Sequence, residues 1–239
     1  MFPYRLRPII RPLLARLQSG PLWQGQCLLC RQDCDEQPLL CRHCRTGLPV
    51  LTYPCPGCAF PLPVDDAHCG RCQKQPPAWQ RMRVLAPFDA PFNRLIHNLK
   101  YHGKMLNGRL LGHLLAAELT PPWPEAILPV PLHWWRQLRR GFNQSHEIAR
   151  GLQSCLDLHI DSRVLRRVRA TAAQTHLSRA ERRRNLTGAF AVANCRYRHV
   201  ALLDDVITTG STMTELTHLL HDNGVETVEV WAVCRTLER

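Results

Sequence analysis

Residues 199–212 read His-Val-Ala-Leu-Leu-Asp-Asp-Val-Ile-Thr-Thr-Gly-Ser-Thr, and their order decides the fold. Val200 to Leu203 form a short unbroken apolar run, the pattern of a parallel strand buried on both faces. Asp204 and Asp205 stand where that run ends. Thr208, Thr209, Gly210, Ser211 and Thr212 follow, and Met213 to His221 then carries helical spacing. Strand, hydroxyl-rich turn and helix together predict a phosphate cradle. Backbone N–H groups and hydroxyls line it, the helix N-terminus adds a favourable dipole, and Gly210 lets the main chain come close. Paired acids before such a cradle suit a ligand with neighbouring hydroxyls, or a magnesium ion beside its phosphate. Gly-Lys-Ser/Thr occurs nowhere in the chain, which argues against a Walker-type phosphate loop.

Outward from this stretch the apolar pattern alternates between strands and helices. Val84 to Phe88 reads as a strand, followed by a helix capped by Asp89 and running to about Lys100, and by a second helix from Leu106 to Leu119. Pro121-Pro-Trp-Pro124 breaks the chain before a buried strand, Ala126 to Val130. A helix from Gln144 to Ser154 and short strands near Val164 and from Phe190 to Val192 precede the signature strand. The signature helix ends near Asn223-Gly224, and Val228 to Val233 supplies a last strand. This alternation predicts a mostly parallel sheet with ligands bound beyond the carboxyl ends of its strands.

Two other loops should reach the same place. Strand Ala126–Val130 runs into Pro131, Leu132 and His133, with Arg136, Arg139 and Arg140 close behind. Backbone N–H groups and cations there suit a second anionic group such as pyrophosphate. Trp134, Trp135 and Phe142 in this loop read as core or interface residues rather than base-stacking ones. The long segment Arg166–Asn185 carries Arg169, Thr171 and Gln174 with little apolar content before Leu177, which suits a lid over a charged reaction centre or a plain surface loop.

The front of the chain is different. Nine of the twelve cysteines lie within residues 27–72, and eight form the pairs Cys27/Cys30, Cys41/Cys44, Cys55/Cys58 and Cys69/Cys72, with ten residues between each pair and the next. A Cys-x-x-Cys turn presents two thiolates to one ion, and two such turns complete a tetrahedral site. The expectation is two structural zinc ions. Cys27, Cys30, Cys41 and Cys44 would hold one and Cys55, Cys58, Cys69 and Cys72 the other, although the equal gaps also permit crossed pairing. Four sulfurs fill every position, so neither ion is catalytic. Cys34 reads as a bystander, and Cys155, Cys195 and Cys234 as packing residues.

The expected organisation is a basic and apolar segment over 1–24, a double zinc-ribbon module over 25–75, and an α/β domain over 80–239 joined through Gln75-Pro-Pro-Ala-Trp79. On this reading, replacing Cys55 unfolds the front module and leaves the second domain able to bind its ligand. Pro8 and Pro12 interrupt the first segment, which lacks a signal peptide's continuous apolar core and cleavage site. With no run of about 18 apolar residues either, a cytoplasmic protein without a membrane span is expected. The 31 Lys and Arg against 19 Asp and Glu give a net charge of +12, which favours phosphate-rich partners. Eight arginines fall between Arg163 and Arg184 against one acid, Glu181. No base-reading module appears, so any nucleic-acid contact would be to phosphates and sensitive to salt.

The stretch from Val200 to Thr212 resembles the phosphoribosyl pyrophosphate (PRPP) signature of type I phosphoribosyltransferases. That resemblance implies that Asp204 and Asp205 hold ribose hydroxyls, and that Thr208, Thr209, Gly210, Ser211 and Thr212 hold the 5′-phosphate. Three more motifs match one family: Leu99-Lys-Tyr-His-Gly103, Arg140-Gly-Phe-Asn-Gln144, and Arg169-x-Thr171-x-x-Gln174-x-x-Leu177 through Arg182-x-x-Asn185. With the cysteine pairs in front, the chain resembles ComF family proteins, which include the GntX-type proteins of enteric bacteria. The resemblance implies a type I phosphoribosyltransferase-like α/β fold, a mostly parallel sheet with helices on both faces, behind a small double zinc ribbon. It also implies PRPP with magnesium as ligand and a link to DNA uptake or the use of external DNA.

In purine-salvage enzymes of this superfamily an acid stands at the place of Thr208 and exchanges a proton with the base, which a threonine cannot do at neutral pH. The resemblance therefore leaves the acceptor and any catalytic residue unassigned. It implies either a phosphoribosyltransferase or a non-catalytic PRPP-binding accessory protein. The latter would dock single-stranded DNA or a DNA-uptake protein through its zinc ribbons.

Overall fold

A computed structural model describes residues 25–34, 39–64, 67–132, 138, 140–169 and 188–237. The segment expected over 1–24 lies outside the described residues, as do His133, Arg139, Thr171 and Gln174. The chain divides into two compact units, Met1–Pro49 and Val50–Arg239. The division falls between the second and third cysteine pairs rather than at the 75–80 linker, so the second quartet shares a unit with the sheet.

The first unit is built around Cys27, Leu39, Leu40 and Leu48, all buried. An isolated bridge between Gln26 and Asp33 closes its first cysteine turn. Helix α1, Arg42–Thr46, starts at Cys41, whose sulfur accepts the Cys44 N–H at 3.5 Å.

In the second unit a short helix α2, Gly70–Lys74, starts at Cys69 and carries Cys72. Strand β1, Arg81–Pro87, leads to helices α3, Phe92–His102, and α4, Met105–Ala116. Helix α3 starts two residues later than an Asp89 cap implies, with Pro91 at its N-cap, and the Asp89 carbonyl accepts the Asn93 N–H at 3.0 Å. Strand β2, Ala126–Pro129, and helix α5, Gln144–Gln153, follow. Then come β3, Leu165–Arg167, β4, Phe190–Val192, β5, His199–Ile207, α6, Ser211–Asp222, and β6, Thr227–Arg235.

Four strands make one parallel sheet in the order β1-β6-β5-β2. Continuous apolar runs in β2 and β5 fit burial on both faces, and Val200 to Leu203 are fully buried. Strand residues alternate between two cores. Met82, Val84, Leu128, Val200, Leu202, Val228 and Val230 pack in one with Met213, Leu216 and Leu220 of α6. On the other side α4 lies against β1 and β6, and α5 against β2 and β5. Strands β3 and β4 stand apart as an antiparallel pair.

Helices α4 and α5 meet at glycines. A Cβ on Gly112 would overlap the Ile148 carbonyl oxygen, and one on Gly151 would overlap that of Arg109. At Gly108 it would come within 2.9 Å of the Glu147 Cβ. The two backbones are thus nearly in contact, which seats α5 deep enough to bring its N-terminus to the end of β5.

Candidate functional site

Strand β5 outlasts its apolar run. Its pairing with β6 continues through Val206 and Ile207, so Asp204 and Asp205 lie inside the strand rather than at its end. Backbone pairing tolerates polar side chains near a sheet edge, and the acids gain fixed positions from it. The Asp205 carboxylate is buried and ion-paired to Lys100 of α3, Oδ2 to Nζ at 2.7 Å. Asp204 Oδ1 accepts the Ser145 hydroxyl at 2.9 Å and the Asp205 N–H at 2.9 Å. Ser145 is placed by Asn143, which caps α5 by accepting the Ser145 N–H at 2.9 Å and donates to the Val130 carbonyl at 3.0 Å.

The turn after β5 has the expected form. Gly210 holds φ of 78°, a left-handed conformation that glycine adopts without steric cost, and precedes α6 as its N-cap. A Cβ there would also come within 3.3 Å of the Trp79 ring. Thr209 and Ser211 hydroxyls lie 2.9 Å apart, and the Thr214 N–H donates to the Gly210 carbonyl at 2.9 Å. Thr208 is exposed, while Thr209, Ser211 and Thr212 are half-buried around the α6 N-terminus.

Pro131 and Leu132 follow β2, the sheet neighbour of β5, so their loop and the signature turn leave the same edge of the sheet. Arg140 lies farther along that loop, its guanidinium 5.7 Å from the centre of the Tyr101 ring. Arg169 donates its N–H to the Ala189 carbonyl at 3.4 Å, beside the β3–β4 pair. Reading the sequence left Lys100, Asn143 and Ser145 without roles, although Lys100 and Asn143 sit inside quoted motifs. Gln144 belongs with them: it is buried at the start of α5, and its side-chain oxygen has no hydrogen-bond partner among the described residues.

Burial, reinforced by the charge of Asp205, pushes the Asp204 carboxyl up to about 7, and Lys100, the Asp205 N–H and the Ser145 hydroxyl only partly oppose this. Between its ordinary value of 3.8 and about 7 the folded chain holds a proton that the unfolded chain releases. Stability from this group therefore falls as pH rises through that window. Asp204→Asn is expected to remove the loss and to melt about 3 °C or more above the parent at pH 8, with little gain at pH 4. Thermal melts at the two pH values check it; equal shifts at both would contradict the assignment.

The cysteines settle into two sequential quartets, Cys27/Cys30/Cys41/Cys44 and Cys55/Cys58/Cys69/Cys72, each with its four sulfurs within 4.8 Å of one another. Cys30 and Cys41 sulfurs lie 3.6 Å apart and those of Cys58 and Cys69 3.5 Å. That is far beyond the ~2.05 Å of a disulfide and close to the ~3.8 Å edge of a zinc–thiolate tetrahedron. Donor set and spacing fit two structural zinc sites. Burial alone would raise the Cys27 thiol, but N–H groups of Cys30 and Cys41 outweigh it and bring it down to about 6. Cys34 stays outside the quartet, and burial pushes its thiol up to about 11. Elemental analysis of the purified chain should return about two zinc ions per molecule, and clearly fewer would defeat the reading.

No helix among the described residues is long and apolar enough to cross a membrane. No family model matches the chain. Curated relatives do. The chain is 38% identical over 222 residues to "DNA utilization protein YhgH" of Salmonella typhi, covering 89% of this chain and 98% of the relative. The protein of the same name from Escherichia coli K12 is 38% identical over 227 residues, with the same coverage. "Competence protein F" of Haemophilus influenzae is 36% identical over 222 residues, covering 88% and 96%.

Proposed function

The chain belongs to the ComF family, and on that premise we propose that it is a PRPP-binding protein of phosphoribosyltransferase type that serves the use of external DNA. The observation that carries the reading is the end of β5. Two carboxylates in fixed positions precede a glycine-bearing hydroxyl turn that opens a helix at the carboxyl edge of a parallel sheet. In this reading the 5′-phosphate rests on Thr208–Thr212 and the ribose hydroxyls reach Asp204 and Asp205. Pro131, Leu132 and Arg140, with His133 and Arg139, take the pyrophosphate. Arg169, Thr171 and Gln174 belong to the segment that covers it. Magnesium, when bound, would neutralise the leaving pyrophosphate. The relatives' names support the DNA part, and the net charge of +12 suits a phosphate-rich partner.

A charge-assisted hydrogen bond contributes roughly 1.5–3 kcal/mol, so losing one should weaken PRPP binding about ten- to a hundredfold. Calorimetry on Asp205→Asn and Thr209→Ala is the measurement, and unchanged affinity in both would overturn the site. Pyrophosphate release from PRPP with a panel of nucleobases and amines then separates an enzyme from an accessory protein that binds PRPP without turning it over.

A further inference from the structure

Along the outer side of α3 runs a cleft of about 580 Å³, lined chiefly by Phe88, Asn93, Arg94, His97, Lys100 and Tyr101. One lining residue, Lys100, holds Asp205 at 2.7 Å, so the cleft opens directly beside the paired acids. Another, Tyr101, carries Arg140 against its ring, which joins the cleft to the loop after β2. Tyr101 is 67% exposed and Phe88 38%, a high exposure for aromatic side chains. Among the described residues the lining contains two cations and a histidine but no carboxylate, and Arg94 makes no ion pair. Asn93 adds a buried side-chain oxygen without a hydrogen-bond partner.

We propose that this cleft is the acceptor subsite, and that it takes a planar, negatively charged nitrogen heterocycle. The proposal rests on the PRPP reading. Aromatic faces suit a flat ring, and the Arg94 guanidinium, with no acid opposite it among the described residues, suits its negative charge. Thr208 offers no base, so a proton on the attacking nitrogen, where there is one, must leave with the pyrophosphate. The acceptor's ring nitrogen attacks the anomeric carbon of PRPP, the bond from that carbon to the pyrophosphate oxygen breaks, and pyrophosphate leaves with the electron pair. The product is an N-ribosyl monophosphate; nicotinate has no proton to lose at its ring nitrogen, and the N1 proton of orotate passes to the departing pyrophosphate.

Orotate and nicotinate are suitable anionic probes, with uracil and nicotinamide as neutral comparators. Binding to the full-length protein is followed by ligand-observed NMR with and without PRPP, and pyrophosphate release is measured in parallel. At least one anionic probe should bind in preference to its neutral comparator and release pyrophosphate. Arg94→Ala and Tyr101→Ala should weaken that probe roughly tenfold or more, Tyr101→Phe should restore it, and PRPP affinity should stay within about twofold in Arg94→Ala. If PRPP binds but neither anionic probe does, or if neutral and anionic probes bind alike, the acceptor proposal falls and the PRPP reading stands. If PRPP itself fails to bind, the PRPP reading falls, and the acceptor proposal with it. Probe binding unmoved by both alanine variants would place the acceptor elsewhere.

Discussion

Cys55→Ala is expected to destabilise the whole second unit by several kcal/mol, whereas Cys30→Ala should leave that unit's unfolding unchanged. Both residues are ligands in otherwise similar quartets, so sequence alone predicts similar, local effects. The surroundings differ. Cys30 is exposed in the first unit, while Cys55 is fully buried and its sulfur accepts the Cys69 N–H at 3.3 Å. The turn that Cys55 begins is bonded to the start of the sheet. Trp79 Nε1 donates to the Gly57 carbonyl at 2.8 Å, the Met82 N–H donates to the Pro56 carbonyl at 2.7 Å, and Ala59 is buried in the β-sheet core. A structural zinc site contributes about 10–16 kcal/mol in small zinc domains, against a total stability of about 5–15 kcal/mol for a typical domain. Even a fraction of that loss matters. Urea unfolding followed by tryptophan fluorescence, with zinc content measured alongside, tests the contrast. Trp79 also lies against Gly210, so under the proposed PRPP reading Cys55→Ala should weaken PRPP binding before the sheet itself melts. Equal unfolding curves for Cys55→Ala and the parent would show that the second quartet does not support the sheet. The buried contacts of the second quartet within the sheet's unit thus lead to the opposite expectation from survival of the second domain after loss of Cys55.

Gly112→Ala should cost about 3 kcal/mol or more, and Gly151→Ala a comparable amount. Helix propensity points the other way, since alanine in a helix interior gains about 1 kcal/mol over glycine. Packing decides the sign. The added methyl at Gly112 meets the backbone of Ile148, Gly151 and Leu152, and the one at Gly151 meets the backbone of Arg109. Neither neighbour is the movable tip of a side chain, so relief requires the two helices to part. Gly108→Ala meets chiefly the Glu147 side chain and should cost less. Moving α5 outward would also draw Ser145 from Asp204, which links this packing to the site. Urea unfolding of the three variants should place Gly112→Ala and Gly151→Ala well below the parent, with Gly108→Ala between them. A stabilised Gly112→Ala would mean that the helices are not held at backbone contact.

Much of the site was legible in the chain because it is local. The apolar run Val200–Leu203, the acids, Gly210 and the helix that follows lie within a few residues of one another, and each carries its own backbone or burial requirement. Four Cys-x-x-Cys turns likewise state their chemistry without help from the rest of the protein. What lies far apart in sequence was not legible. Lys100 meets Asp205 only because α3, packed on α4, brings its last turn to the end of β5, and Ser145 reaches Asp204 only because glycines let α5 sink against α4. Strand β5 outruns its apolar residues because β6 pairs with its backbone, which no side-chain pattern records.

Sequence by itself determined the α/β class, the parallel strands β2 and β5, the cysteine ligands and the family, since each follows from short-range pattern or from residue identity. Tertiary structure alone decided three things: that neighbouring cysteine pairs share a site, that the second quartet joins the sheet's own unit, and that Asp205 is ion-paired to Lys100. All three depend on which surfaces meet when apolar faces are buried, and burial couples residues that the linear order keeps apart.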